Sequence, residues 1–101
     1  MSDTDTRSKT RVKPKVERPK MYKVILLNDD FTPREFVVKV LKAEFGMGED
    51  RAYAVMLTAH RKGVCVVAVY ARDIAETKAD RANDMARQAG FPLRFTTEPE
   101  E

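Results

Sequence analysis

The chain has 101 residues, 43% of them hydrophobic and 35% charged, with a formal net charge of +3. That length holds one folded domain with a single core, not two. No apolar run approaches membrane-span length, the polar start MSDTDTRSKT does not read as a secretory leader, and the lone Cys65 excludes an internal disulfide. The expectation is a cytoplasmic protein with no membrane partner. The charge is uneven: residues 1–20 carry seven Lys or Arg against three acids, so the arm is +4 and the remaining chain −1. The arm has two prolines, few large apolar residues and no periodicity, which predicts a disordered basic extension over residues 1–20. Without interleaved aromatics it lacks a stacking platform for bases, so no nucleic-acid partner is expected.

The folded body is predicted over residues 21–98. A strand comes first, with Tyr22, Val24 and Leu26 on one face and Lys23, Ile25 and Leu27 on the other. It runs into a polar corner, Asn28, Asp29 and Asp30. A helix then begins, with Thr32 expected as N-cap, Pro33 as the first helical residue, Glu35 closing a capping box, and Phe31 with Phe36 as a hydrophobic staple. Phe36, Val37, Val40, Leu41 and Phe45 keep helical spacing up to Gly46. Gly48 opens a second helix with Ala52, Val55, Met56 and Ala59 as its apolar stripe, ending at Gly63. Residues Val64 to Tyr70 read as a central strand. Asp73 is expected to cap an alanine-rich third helix that ends at Gly90, and Leu93 to Thr97 form a last strand before a frayed acidic end, residues 99–101. The order β-α-α-β-α-β predicts an α+β domain, three helices on one face of a three-stranded, mostly antiparallel sheet.

Candidates for catalysis are absent. His60 is the single histidine, so a zinc site lacks ligands, and Asp29–Asp30 lacks calcium-loop spacing. No glycine-rich phosphate loop is present, and a Cys65–His60 dyad would have to form across a tight glycine turn. The expectation is a protein that is not an enzyme and carries neither metal nor cofactor. His60 follows Met56 by four residues, so the two share a helix face beside the core stripe. Taken alone, Asn28–Asp30 reads as a solvated turn whose side chains cap local backbone, with a ligand site as the alternative.

Four segments shift that balance: MYKVILLNDDFTPREFVVKVL, AVMLTAHRKGV, VYARDIAETKAD and the FPL near the end. In order and spacing, over about residues 21–98, they resemble the ClpS family, adaptors of the bacterial Clp protease. The resemblance implies a protein that binds polypeptides whose first residue is Leu, Phe, Tyr or Trp and delivers them to a Clp AAA+ unfoldase such as ClpA. It implies that Asn28, Asp29 and His60 take the α-amino group. Leu26, Leu27, Val37, Met56 and Leu93 would hold the first side chain, with Thr32, Arg34 and Ala59 at the edges. Asp73 and Lys78 match positions where the family contacts the unfoldase, and the family's N-terminal extension is what the motor engages.

The chemistry of the residues agrees: an amide oxygen, a carboxylate and a neutral imidazole are acceptors suited to a small cation. One departure stands out, because the family usually has methionine where this chain has Arg34. Arginine has an apolar stem and a charged head that seeks water, which predicts altered selection of the first residue, with pairing to Asp30 or Glu35 as one outlet. Two rivals remain in the sequence: a small basic nucleic-acid-associated protein, and an interaction module indifferent to its partner's first residue.

Overall fold

The computed structural model describes residues 20–101, so the basic arm expected over residues 1–20 lies outside the described residues except for Lys20. The elements are β1 (Met21–Leu27), α1 (Arg34–Phe45), α2 (Glu49–Lys62), β2 (Val64–Ala71), α3 (Arg72–Ala89) and β3 (Arg94–Pro99). The α+β order is the expected one. The sheet is antiparallel at both pairings, in the order β2-β1-β3, with the helices on one face.

Alternation along β1 decides what the sheet buries. Val24 and Leu26 are sealed into the core, opposite Phe95 and Thr97 of β3, while Lys23, Ile25 and Leu27 turn the other way. Val37, Val38, Val40 and Leu41 of α1 and Ala52, Met56 and Ala59 of α2 close over that face. Each fully buried large side chain, such as Leu26, Leu41 or Phe95, contributes about 1.5–3 kcal/mol. On α3 the buried positions are Ala75, Ala79, Ala82 and Ala86. Their small side chains let that helix lie close to the strands.

The sequence expectation for Val64–Tyr70 is corrected: β2 is an edge strand, and β1 is the central one. Uninterrupted β-branched residues suggest burial on both faces, but Val64, Val66 and Val69 remain 50%, 48% and 37% exposed on the helix-free side. A bulge accounts for the one deeply buried valine: Val24 pairs with Ala68 and Ile25 with Val66, so Val67 is the extra residue turned into the core. The last strand also runs further than predicted, to Pro99, and the Glu100 N–H donates to the Met21 carbonyl at 2.8 Å.

The helix starts differ as well. Pro33 is the N-cap of α1, its carbonyl accepting from Phe36 and Val37, and no side-chain cap is made. The Thr32 hydroxyl, expected to cap, donates to Asp29 instead; with Pro33 at the N-cap, Thr32 lies one residue outside the helix. The staple is absent: Phe31 is 79% exposed, and Phe36 packs on Phe91 with ring centroids 4.9 Å apart. Asp73 is not the cap of α3. That helix begins at Arg72 after Ala71, and Glu76 pairs with Arg72 at 3.1 Å across one turn.

Candidate functional site

Where β1 ends, the chain is tied down twice. The Asn28 N–H donates to the Gly63 carbonyl at 2.9 Å, which draws the end of α2, and His60 with it, against the corner. Gly63 permits this because it turns the chain at φ 92°, a left-handed conformation that a side chain would strain.

Asp29 then organises the corner. Its Oδ1 accepts from the Phe31 N–H at 2.8 Å and the Thr32 N–H at 2.7 Å, and its Oδ2 accepts from the Thr32 hydroxyl at 2.9 Å. A carboxylate has about four lone-pair positions, so three are used internally and one is left to face outward. The solvated-turn reading of this corner is thus correct for the local bonding, and it leaves room for a ligand.

Around the corner lies one cavity of about 130 Å³. Leu26 and Leu27 come from β1, Thr32 from the corner, Arg34 and Val37 from α1, Met56, Ala59 and His60 from α2, and Leu93 from the turn before β3. Asn28 and Asp29 complete its rim. Every residue assigned from sequence to the amine site or the side-chain pocket therefore borders the same hollow. Its lower wall is apolar and closed, with Leu26, Met56, Ala59 and Leu93 between 1% and 4% exposed. The volume is close to that of a cavity of roughly 150 Å³ able to take up benzene.

The sequence reading omitted two residues. Asp30 also lines the rim and adds a second carboxylate, and its place in the Asn-Asp-Asp run was the available signal. Phe91, through Phe36, anchors the turn that carries Leu93. Gly90 and Pro92 disguise it as a mere connection.

At the mouth, Arg34 Nη2 lies 3.1 Å from His60 Nε2. A guanidinium only donates, so His60 Nε2 is the acceptor and its ring proton sits on Nδ1. Arg34 pairs with neither Asp30 nor Glu35. Glu35 is its chain neighbour and projects from a different side of the helix. The imidazole lone pair suited to a ligand amine is thus already held by a side-chain cation.

Asp73 and Lys78 are not part of this cavity. They border a separate shallow hollow between α1 and α3, with Ala43, Glu44 and Arg81. Lys78 Nζ donates to the Glu44 carbonyl at 3.1 Å and stands 5.5 Å from the Tyr70 ring centre, whereas exposed Asp73 accepts from the Ile74 N–H. Cys65 turns its thiol toward the Val66 carbonyl at 3.6 Å, and burial raises its pKa against a smaller opposing pull from Lys62. It forms no dyad with His60. Among the described residues, no helix is long and apolar enough to cross a membrane.

The chain is similar to known proteins over its whole length. A family described as ATP-dependent Clp protease adaptor protein ClpS matches residues 17–96. The Clp protease adapter protein ClpS 1 of Bradyrhizobium diazoefficiens is 67% identical over 101 residues, covering both chains fully. ClpS 2 of Mesorhizobium japonicum is 64% identical over the same length, again with full coverage of both. Among solved structures, Agrobacterium tumefaciens ClpS2 bound to L-phenylalaninamide superposes with a TM-score of 0.81 at 67% identity, over 82% of this chain and all of that one. With its fold, its corner and its cavity, the chain belongs to the ClpS family of adaptors of the ATP-dependent Clp protease.

Proposed function

We propose that this protein captures polypeptides by their first residue and hands them to a Clp AAA+ unfoldase in the cytoplasm, acting by binding alone. The observation that carries this reading is the cavity with an apolar, closed lower wall and a rim of Asn28, Asp29 and His60. A first residue offers two unlike groups on one carbon, an α-ammonium and a side chain. The rim suits the former and the wall the latter. L-Phenylalaninamide, bound by the Agrobacterium relative, has the same two groups, a free amine and a benzyl side chain.

In this reading Asn28, Asp29 and His60 accept from the ammonium. Leu26, Leu27, Val37, Met56 and Leu93 enclose the side chain of Leu, Phe, Tyr or Trp, with Thr32, Arg34 and Ala59 at the edges. Burying the side chain contributes about 1.5–3 kcal/mol, and each charge-assisted hydrogen bond about 1.5–3. After the costs of association, affinities in the micromolar range or tighter follow, suited to cargo that must be released. Arg34 adds a step, since the incoming amine must displace its guanidinium from His60. Asp73 and Lys78 serve the unfoldase's N-terminal domain, and residues 1–20 supply the segment the motor engages.

The test is fluorescence anisotropy with peptides that differ only in their first residue, alongside an N-acetylated control. Phe, Tyr, Trp and Leu peptides should bind, while Ala and acetylated peptides should not. Equal affinity for all would return the protein to the class of modules indifferent to the first residue.

A further inference from the structure

Next to the first-residue cavity lies a second, wider hollow of about 670 Å³, and the two share one wall, Arg34. It follows the seam where α1 and α2 run side by side in opposite directions. Arg34 meets His60 at one end of that seam, and Lys42 meets Glu49 at the other, with an ion pair of 2.5 Å. Its floor holds Val38, only 7% exposed, and the ring of Tyr53, which is 49% exposed. Lys39 and Lys42 stand on its rim opposite Glu49.

We propose that this seam holds the stretch of cargo chain that follows the first residue, an inference that rests on the first-residue reading above. Continuity carries the argument. With the side chain down the cavity and the amine on the Asn28–Asp29–His60 rim, the cargo's carbonyl and everything after it must leave over the remaining wall. Arg34 is the wall that opens into another hollow, and once the ammonium has taken His60 its guanidinium is released toward that side. From Arg34 to Lys42 the helix rises roughly 12 Å at 1.5 Å per residue. An extended chain covers that span with about four residues at roughly 3.3 Å each.

The surface also states a preference. With Arg34, Lys39 and Lys42 against Glu35 and Glu49, the lining carries one net positive charge. A cargo carboxylate near Lys39 is therefore favoured over a lysine. An apolar cargo side chain can lie on Val38 and Tyr53. The protein thus selects weakly on residues three to six of its cargo as well as strongly on the first.

Anisotropy competition with the full chain tests this. The probes are Phe-Ala-amide and heptapeptides beginning Phe-Ala whose following residues are serine, glutamate or lysine. The glutamate peptide should bind roughly two- to fivefold tighter than the lysine peptide, as exposed ion pairs allow, and the difference should shrink in high salt. Lys39→Glu should abolish or reverse that order, and Tyr53→Ser should reduce the gain of heptapeptide over dipeptide. Both variants should leave Phe-Ala-amide affinity unchanged. Heptapeptide affinities unmoved by either substitution, with the dipeptide still bound, would overturn the seam alone. Failure of the unaltered protein to bind Phe-Ala-amide would overturn the first-residue reading and this inference with it.

Discussion

Asp29 and Asp73 each stand near the start of a helix, and they are held very differently. Asp29, ahead of α1, accepts three hydrogen bonds from its own corner and borders a cavity with a closed apolar wall. Asp73, in the first turn of α3, accepts from its neighbour's N–H and sits on an open, shallow surface. In the proposed function the difference separates two kinds of recognition. A small cation with few contacts needs acceptors fixed in advance, because ordering them during binding would consume the little energy available. A protein surface that meets another over a wide area can leave its side chains free.

The strongest way to break that comparison is to remove each carboxylate in turn. Asp29→Ala gives up three hydrogen bonds worth about 0.5–1.5 kcal/mol each, together with an acceptor for the amine. It should lower thermal stability and weaken Phe-initiated peptides about 100-fold or more, read by melting and anisotropy. Asp73→Ala should stay within about 0.5 kcal/mol of the parent in stability and leave peptide affinity unchanged, altering only binding to the unfoldase. Equal effects of the two on peptide affinity would erase the distinction.

His60→Ala comes next. The side chain is exposed, so stability should hold while peptide affinity falls about tenfold, the loss of one charge-assisted acceptor.

Arg34→Met is a gentler change that frees His60 and restores an apolar wall. Leu-initiated peptides should tighten a few-fold, more than Tyr- or Trp-initiated ones, and rejection of Ile should sharpen in the same titrations. Unchanged rankings would place Arg34 outside selection.

The smallest effect uses Cys65, which faces Leu26 across the β1–β2 ladder. Burial raises its pKa and keeps it as the thiol, so iodoacetamide at pH 8 should react several-fold more slowly than with the unfolded chain. Asp29→Ala, by loosening the corner, should quicken that reaction, and Asp73→Ala should not.

Much of this was legible in the residues, for physical reasons. Helical spacing in Phe36–Phe45 and Ala52–Ala59 located α1 and α2, and glycines at 46, 63 and 90 marked their ends and that of α3. The cavity was legible through the resemblance to the ClpS family, carried by the NDD corner and the Met56–His60 spacing; taken alone, the corner reads as a solvated turn. What escaped was tertiary choice among local options. Thr32 could stand at the N-cap or one residue before it, and with Pro33 as the cap its hydroxyl bonds Asp29 three residues back. Phe36 could staple to Phe31 or meet a ring 55 residues away, and Phe91 outcompetes. The valines of β2 could be central or edge, since propensity does not count neighbours. The Arg34–His60 contact spans two helices and has no sequence signature.

The central place of β1 has a consequence for amide exchange. Its backbone is laddered on both sides, and the Asn28 N–H continues the pairing onto Gly63. Protons on Leu26 and Asn28 should therefore exchange only when the whole domain opens. Three residues on, the N–H groups of Phe31 and Thr32 depend on one aspartate at the surface and should exchange through small local openings. Two clocks then run within a few residues of each other. Cargo seated on Asp29 slows the fast one directly, and moves the slow one only as far as it stabilises the entire fold.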